Sequence, residues 1–240
     1  MFTPRILARA SFTIADIGIE LCAHEWQPTP AYAALVDAEW NRMVARAAHP
    51  LWDGLYYRVL NLDELQKGAA PATLRLGTIR YRYIATFPAL HEPHARLHLD
   101  PLNHLSIGAL IRTSDGFYLF GRRARNGATD IIGGGVQSDE LAVSTGSDLE
   151  RNLYKEVREE VGIVKEDIGA LSGIGILYAG TSNVIVVAHA ATSLSRSAAE
   201  ARFQQRTEPE MAAPVFVGES NLRAMLAGMT DYRKLILELL

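Results

Sequence analysis

With 240 residues, the chain can bury one substantial core and carry a small appended region. Its 24 Lys and Arg stand against 27 Asp and Glu, a net charge of −3, which excludes the broad basic footprint of a DNA- or RNA-binding protein but leaves room for a local basic pocket. Cys22 is the single cysteine, which excludes internal disulfides and thiolate-rich zinc sites. With no apolar run of membrane-spanning length and no signal-peptide pattern, a soluble cytoplasmic protein, monomer or homodimer, is expected.

In chain order, Thr29 followed by Pro30 signals a helix start, and Tyr32, Leu35, Val36, Trp40, Met43 and Val44 form its apolar stripe, which ends before Pro50. Residues 55–60 and 72–84 alternate like antiparallel strands joined by residues 61–71, giving a small α+β region over residues 1–102. From residue 103 a hairpin is predicted: 105–111, a turn at Thr113 to Gly116, then 117–121. The apolar run from Asp130 stops at Gly133, Gly134 and Gly135, which reads as a strand entering a tight loop; three glycines in a row suggest positive φ or close approach of the main chain to something large. An extended segment and a helix follow, with Ser147 and Glu150 as a capping box, Leu149, Leu153 and Val157 in one stripe, and Gly162 as the C-terminal cap. Strands at 173–178 and 183–190 flank a turn at 180–182, and helices are predicted at 198–206, 220–229 and 230–240. The histidines His24, His49, His91, His94, His98, His104 and His189 lack a zinc spacing; His91, His94 and His98 lie in a proline-bounded loop and suit a solvated or substrate-rim role.

The most telling element is the helix that holds Glu156, Glu159 and Glu160 on one face at spacings of three and four residues. Lys155 and Arg158 could make this an ordinary solvated face, whereas a hard divalent cation would convert the repulsion among three carboxylates into affinity. The segment carries neither a lysine-bearing phosphate loop nor an acidic residue ending a second strand in the dinucleotide-binding manner.

Gly134 with Glu140, followed by Lys155 through Gly162 and Ile163, resembles the box of the Nudix hydrolase family, which closes on arginine, glutamate, an apolar residue, any residue, two glutamates, any residue, glycine and an apolar residue. Two departures stand out: Lys155 replaces the arginine, and the spacer of fourteen residues from Leu141 to Tyr154 is longer than the family's usual one, which puts the role of Glu140 in question. The resemblance implies an α/β/α sandwich with a mixed sheet over 103–240. It also implies Mg²⁺ or Mn²⁺ held by Glu156, Glu159 and Glu160, with Glu160 nearest the attacking water and Lys155 orienting a neighbouring carboxylate. Gly134 and Gly135 are expected at the substrate. Arg122, Arg123 and Arg125 are candidates for a diphosphate, although charges ending a strand also guard an edge against aggregation. The runs Gly54 to Arg58, Leu74 to Gly77 and Tyr81-Arg82, together with the late acidic residues Glu208 and Glu210, resemble the branch that cleaves UDP-glucose or UDP-galactose, and imply substrate contacts from Arg58, Arg82 and Tyr83. The sequence departs from that branch at Tyr83 to Phe87. The expected activity is therefore metal-dependent hydrolysis of a nucleotide sugar to a nucleoside monophosphate and a sugar 1-phosphate. The alternatives are an ADP-ribose or dinucleotide pyrophosphatase and a catalytically silent nucleotide-binding regulatory module.

Overall fold

The computed structural model describes residues 3–9, 13–47, 50–67, 72–91, 101–180, 182–229 and 231–240. Its centre is β5 (His104–Arg112), which pairs antiparallel with β6 (Phe117–Arg123) and parallel with β10 (Asn183–Thr192). β9 (Ile168–Tyr178) lies antiparallel to β10, and β11 (Met211–Gly218) antiparallel to β6. Neighbouring residues on β5 and β10 serve different cores. Leu105, Ile107, Ala109, Val184 and Val186 face one, whereas Leu110, Ile185 and Val187 face the other. A strand buried on both faces reads as an unbroken apolar run, as β10 does.

The first face is covered by α4 (Gly146–Val161), whose Leu149, Leu153, Val157 and Val161 have no exposed surface. Each contributes roughly 1.5–3 kcal/mol through burial, so this stripe fixes the helix on the sheet. α6 (Glu219–Ala227) and α7 (Arg233–Leu239) cover the second face through Leu222, Leu226 and Ile236. α5 (Arg196–Phe203) packs beside α4 through Ala199 and Phe203. The result is an α/β/α sandwich with a curled mixed sheet.

Residues before 103 extend this sheet at both ends. β1 (Arg5–Arg9) pairs with β9, while β3 (Leu55–Val59) meets β5 and continues into β4 (Thr73–Arg80) and β2 (Gly18–Glu25). The expected boundary near residue 102 thus lies between two strands of one sheet. α1 (Pro30–Arg46), capped by the Thr29 side chain accepting from the Tyr32 N–H, buries Tyr32, Val36 and Trp40. It packs against α3 (Tyr81–Leu90), and a short α2 (Leu62–Gln66) follows β3.

Three local expectations change. The strand predicted through Ile84 ends at Arg80, because the Gly54 carbonyl accepts the Tyr81 N–H and the Asp53 carboxylate accepts that of Arg82, starting a helix there. The glycines do not form a loop: β7 (Thr129–Asp130) leads into β8 (Ile132–Gly135), where they pair with β5. The capping box of α4 belongs to Thr145 and Asp148 rather than to Ser147 and Glu150. Gly162 does end this helix in the left-handed region at φ 73°. His49, His94, His98, Thr181, Thr230 and residues 68–71 lie outside the described residues, and with them parts of the predicted histidine loop and turns. Among the described residues no helix is long and apolar enough to cross a membrane.

Candidate functional site

The glycine strand is built for close approach. Gly133 has φ 148°, and a Cβ there would lie 2.1 Å from the Ile107 carbonyl oxygen. At Gly134 a Cβ would meet Glu156 Oε2 at 2.3 Å, so the missing side chain is what lets that carboxylate rest against the strand. α4 therefore lays its acidic face along β8.

The three glutamates divide among three cationic partners, Lys155, Arg158 and Arg123. Lys155 Nζ lies 3.0 Å from Glu140, 3.5 Å from Glu156 and 3.1 Å from Glu159, and Glu159 also faces Arg158 at 3.8 Å. Glu160 turns inward, accepting from the Gly133 N–H at 2.8 Å and from the Arg123 guanidinium at 3.1 Å. Arg123 in turn reaches Asp130 at 3.3 Å, Glu210 at 2.8 Å and the Gly133 carbonyl at 3.3 Å. Despite the lengthened spacer, Glu140 thus joins the cluster.

Burial is the main cause of the altered acidities. It raises the Glu156 carboxyl to about 7 against the pull of Lys155, with Glu159 and Glu210 adding to the rise. Glu160 is raised to about 8 by burial, opposed by Arg123 and the Gly133 N–H. Burial opposes the charge on Lys155, but Glu140, Glu156 and Glu159 outweigh it and hold the ammonium above its ordinary value.

Among the described residues no group of three or more His, Cys, Asp or Glu side chains is arranged to hold a metal ion, because the carboxylates are turned to Lys155 and Arg123. Their chemistry still fits a hard cation. Asp130, Glu140, Glu156, Glu159, Glu160 and Glu210 share only Lys155, Arg158 and Arg123 in these ion pairs, an excess of negative oxygen ligands of the kind Mg²⁺ and Mn²⁺ take.

β3 secures the chain on both sides of Glu140. The Tyr57 N–H donates to the Val136 carbonyl, the Ser138 N–H to the Leu55 carbonyl, and the Leu55 N–H to Asp139 Oδ2. The Tyr57 hydroxyl accepts from the Val143 N–H at 2.9 Å. Asp148 then gathers the N–H groups of Ser144 and Thr145, hydrogen bonds that hold its carboxyl well below the usual range despite the opposing effect of burial.

A cavity of about 610 Å³ opens beside this cluster. Gly133, Gly134, Gly135 and Glu156 form one wall, Arg123, Arg125 and Glu210 another, and Tyr56 and Tyr81 a third. The two tyrosine rings are stacked, with centroids 5.4 Å apart. Gly134 and Gly135 line the cavity, and of the trio Glu156, not Glu160, lines it with them.

Four other candidates stand elsewhere. Arg122 is exposed and points away from the cavity, since adjacent strand residues alternate faces and Arg123 takes the inward position. Arg58 is bonded to the carbonyls of Pro101 and Leu102. Arg82 ties α3 to Asp53 and Asp37, while Tyr83 packs edge-on against Trp26 at 5.1 Å. Tyr56 and Tyr81, which belong to the runs Gly54 to Arg58 and Tyr81-Arg82, line the cavity together with Tyr232, which the sequence placed only on the core face of its helix.

No family model matches the chain, and no curated protein does. Solved structures similar in trace include Tm1382, a putative Nudix hydrolase, at 12% identity and TM-score 0.42, covering 84% of this chain and 96% of that one. DR0079 of Deinococcus radiodurans is 18% identical with TM-score 0.40, over 57% of this chain and 80% of that one. The Nudix domain of Shewanella oneidensis NrtR, solved with ADP ribose, is 14% identical with TM-score 0.38, over 62% of this chain and 95% of that one. These are distant likenesses of fold.

Proposed function

We propose that the chain is a Nudix-type, divalent-cation-dependent hydrolase of a nucleoside diphosphate linked to another moiety, with a nucleotide sugar of the UDP-glucose or UDP-galactose type as the leading substrate. One observation carries the reading: the acidic helix and the glycine strand form one wall of a cavity whose other walls offer two arginines and a stacked tyrosine pair. Its volume of about 610 Å³ lies within the range of small-molecule sites.

In this reading Glu156, Glu159 and Glu160 would hold the cation once Lys155 and the Nη1 of Arg123 turn from them to the ligand, with Arg123 Nε still held by Asp130. Bound there, Mg²⁺ or Mn²⁺ supplies neutralising charge for the diphosphate and an acidified water. Arg123 and Arg125 direct N–H donors at the phosphate oxygens, where the guanidinium fork matches phosphate geometry. Tyr56 and Tyr81 present a ring face on which a base can stack. Glu156, raised to about 7, has the basicity to exchange a proton with water near neutrality and lines the cavity where water and ligand meet.

The test is turnover of UDP-glucose, UDP-galactose, ADP-ribose and a diadenosine polyphosphate with and without Mg²⁺. Chelation is expected to abolish hydrolysis, and Glu156→Gln, Glu159→Gln or Glu160→Gln to reduce kcat by about 100-fold or more. Preference for ADP-ribose or the dinucleotide would replace the nucleotide-sugar assignment. Lys155, placed among Glu140, Glu156 and Glu159, favours a second reading, a binding module without turnover. Nucleotide binding with no hydrolysis at any Mg²⁺ or Mn²⁺ concentration would establish that one instead.

A further inference from the structure

We propose that Tyr232 is a positioning residue for Arg123, and through it for Glu160, which makes the C-terminal segment a working part of the site. The proposal deepens the reading of this cavity as the ligand site and rests on it for its functional meaning. A continuous path of hydrogen bonds connects the two ends. The Tyr232 hydroxyl donates to Asp130 Oδ1 at 2.9 Å, Asp130 Oδ2 accepts from Arg123 Nε at 3.3 Å, and Arg123 reaches Glu160 at 3.1 Å.

Arg123 needs such an anchor because its ligands pull in different directions. Its Glu210 partner is 62% exposed at the side chain, whereas Glu160 is 3% exposed. Of these partners Asp130 is the one that holds Nε, the atom about which the guanidinium would pivot. Among the described residues Asp130 Oδ1 has one other donor, the N–H of its own neighbour Ile131. Without the Tyr232 hydroxyl, the carboxylate would be held on that side by a local contact alone, and the Nε anchor of Arg123 would be looser against the pull of exposed Glu210.

Tyr232 is well placed to act as a fixed donor. Its ring packs with the core that holds Leu222, Leu226 and Ile236. The next residue, Arg233, pairs with Asp231 and donates to the Thr129 carbonyl, so both sides of the Tyr232–Asp130 contact are tied to β7. Burial first, and then the adjacent Asp130 charge, push the phenol far above its ordinary value, so it keeps the proton it donates.

The test is proton exchange of the Arg123 Nε–H in ligand-free protein, followed by ¹⁵N NMR and assigned with Arg123→Lys. Tyr232→Phe retains the ring and removes only the hydroxyl; it is expected to speed exchange roughly fivefold, the scale of one lost hydrogen bond. In a double-mutant cycle with Asp130→Asn, the paired variant is expected to exchange no faster than Asp130→Asn alone. Unchanged exchange in Tyr232→Phe, or two effects that simply multiply, would overturn the proposal. A lower Tm with unchanged exchange would overturn it too, by assigning Tyr232 to packing alone. Because the measurement needs no substrate, it stands if the diphosphate panel fails. If the panel succeeds, Tyr232→Phe should lower kcat severalfold while KM holds.

Discussion

Lys155 and Arg123 hold carboxylates of the same helix but in unlike surroundings. At the outer end, a flexible ammonium is shared by Glu140, Glu156 and Glu159, and Glu140 is 43% exposed at its side chain. At the inner end a planar guanidinium is divided among Asp130, Glu160, Glu210 and the Gly133 carbonyl, and Glu160 is sealed from water. The same charge pairing therefore does two jobs. Water and mobile ions can replace the exposed Glu140 contact, whereas among the described residues Arg123 and the Gly133 N–H alone attend the inner carboxylate.

The sharpest way to break this contrast is Arg123→Ala at pH 9, where Glu160 is ionised and would be left buried without its cation. A loss of about 3–5 kcal/mol in urea denaturation is expected. A loss no larger than that of an exposed pair would erase the distinction.

The next effect is on pH. In divalent-free buffer, folded Glu160 keeps its proton to about 8, whereas the unfolded chain releases it near the ordinary 4.5. Between those values the folded state binds the extra proton, so the free energy of unfolding falls as pH rises and levels off above about 8. Glu156 adds a decline of the same sign between 4.5 and about 7. Glu160→Gln should confine the decline to the lower window, and urea midpoints measured from pH 5 to 9 check it.

The smallest effect belongs to the outer end. Glu140→Ala, which removes only the exposed partner of Lys155, is expected to cost about 1 kcal/mol or less. Its clearer sign would be faster amide exchange in the segment around that position, while Lys155→Arg leaves that exchange close to wild type.

How far the sequence reveals this arrangement depends on the range of the deciding contacts. α4 was legible because its apolar stripe and its closing Gly162 are local signals. The glycine run announced close approach, and the crowding at Gly133 and Gly134 is of that kind. What it could not announce was that the crowding partners are β5 and Glu156, with the run itself a strand. Tyr81 to Ile84 alternate well enough for a strand, and the helix there is decided by Asp53 and Gly54, residues of a preceding loop. Which of Arg122 and Arg123 faces inward turns on the register of β6 against β11, set by Met211 to Gly218 far along the chain. Both Ser147 with Glu150 and Thr145 with Asp148 satisfy the same capping pattern, and only the donors gathered on Asp148 separate them. Tyr232 and Asp130 are 102 residues apart, and no local pattern joins them.

The grip of β3 on residues 136–143 has a consequence for how such a chain can change. Since that stretch is fastened at Leu55 and Tyr57 before Thr145 opens the helix, segment length and helix placement are decoupled. Extra residues would bulge into solvent at a cost that grows only with the logarithm of their number. Changes of length at residues 141–142, between the anchors at Asp139 and Val143, would therefore leave Glu140 and the acidic face of α4 in register.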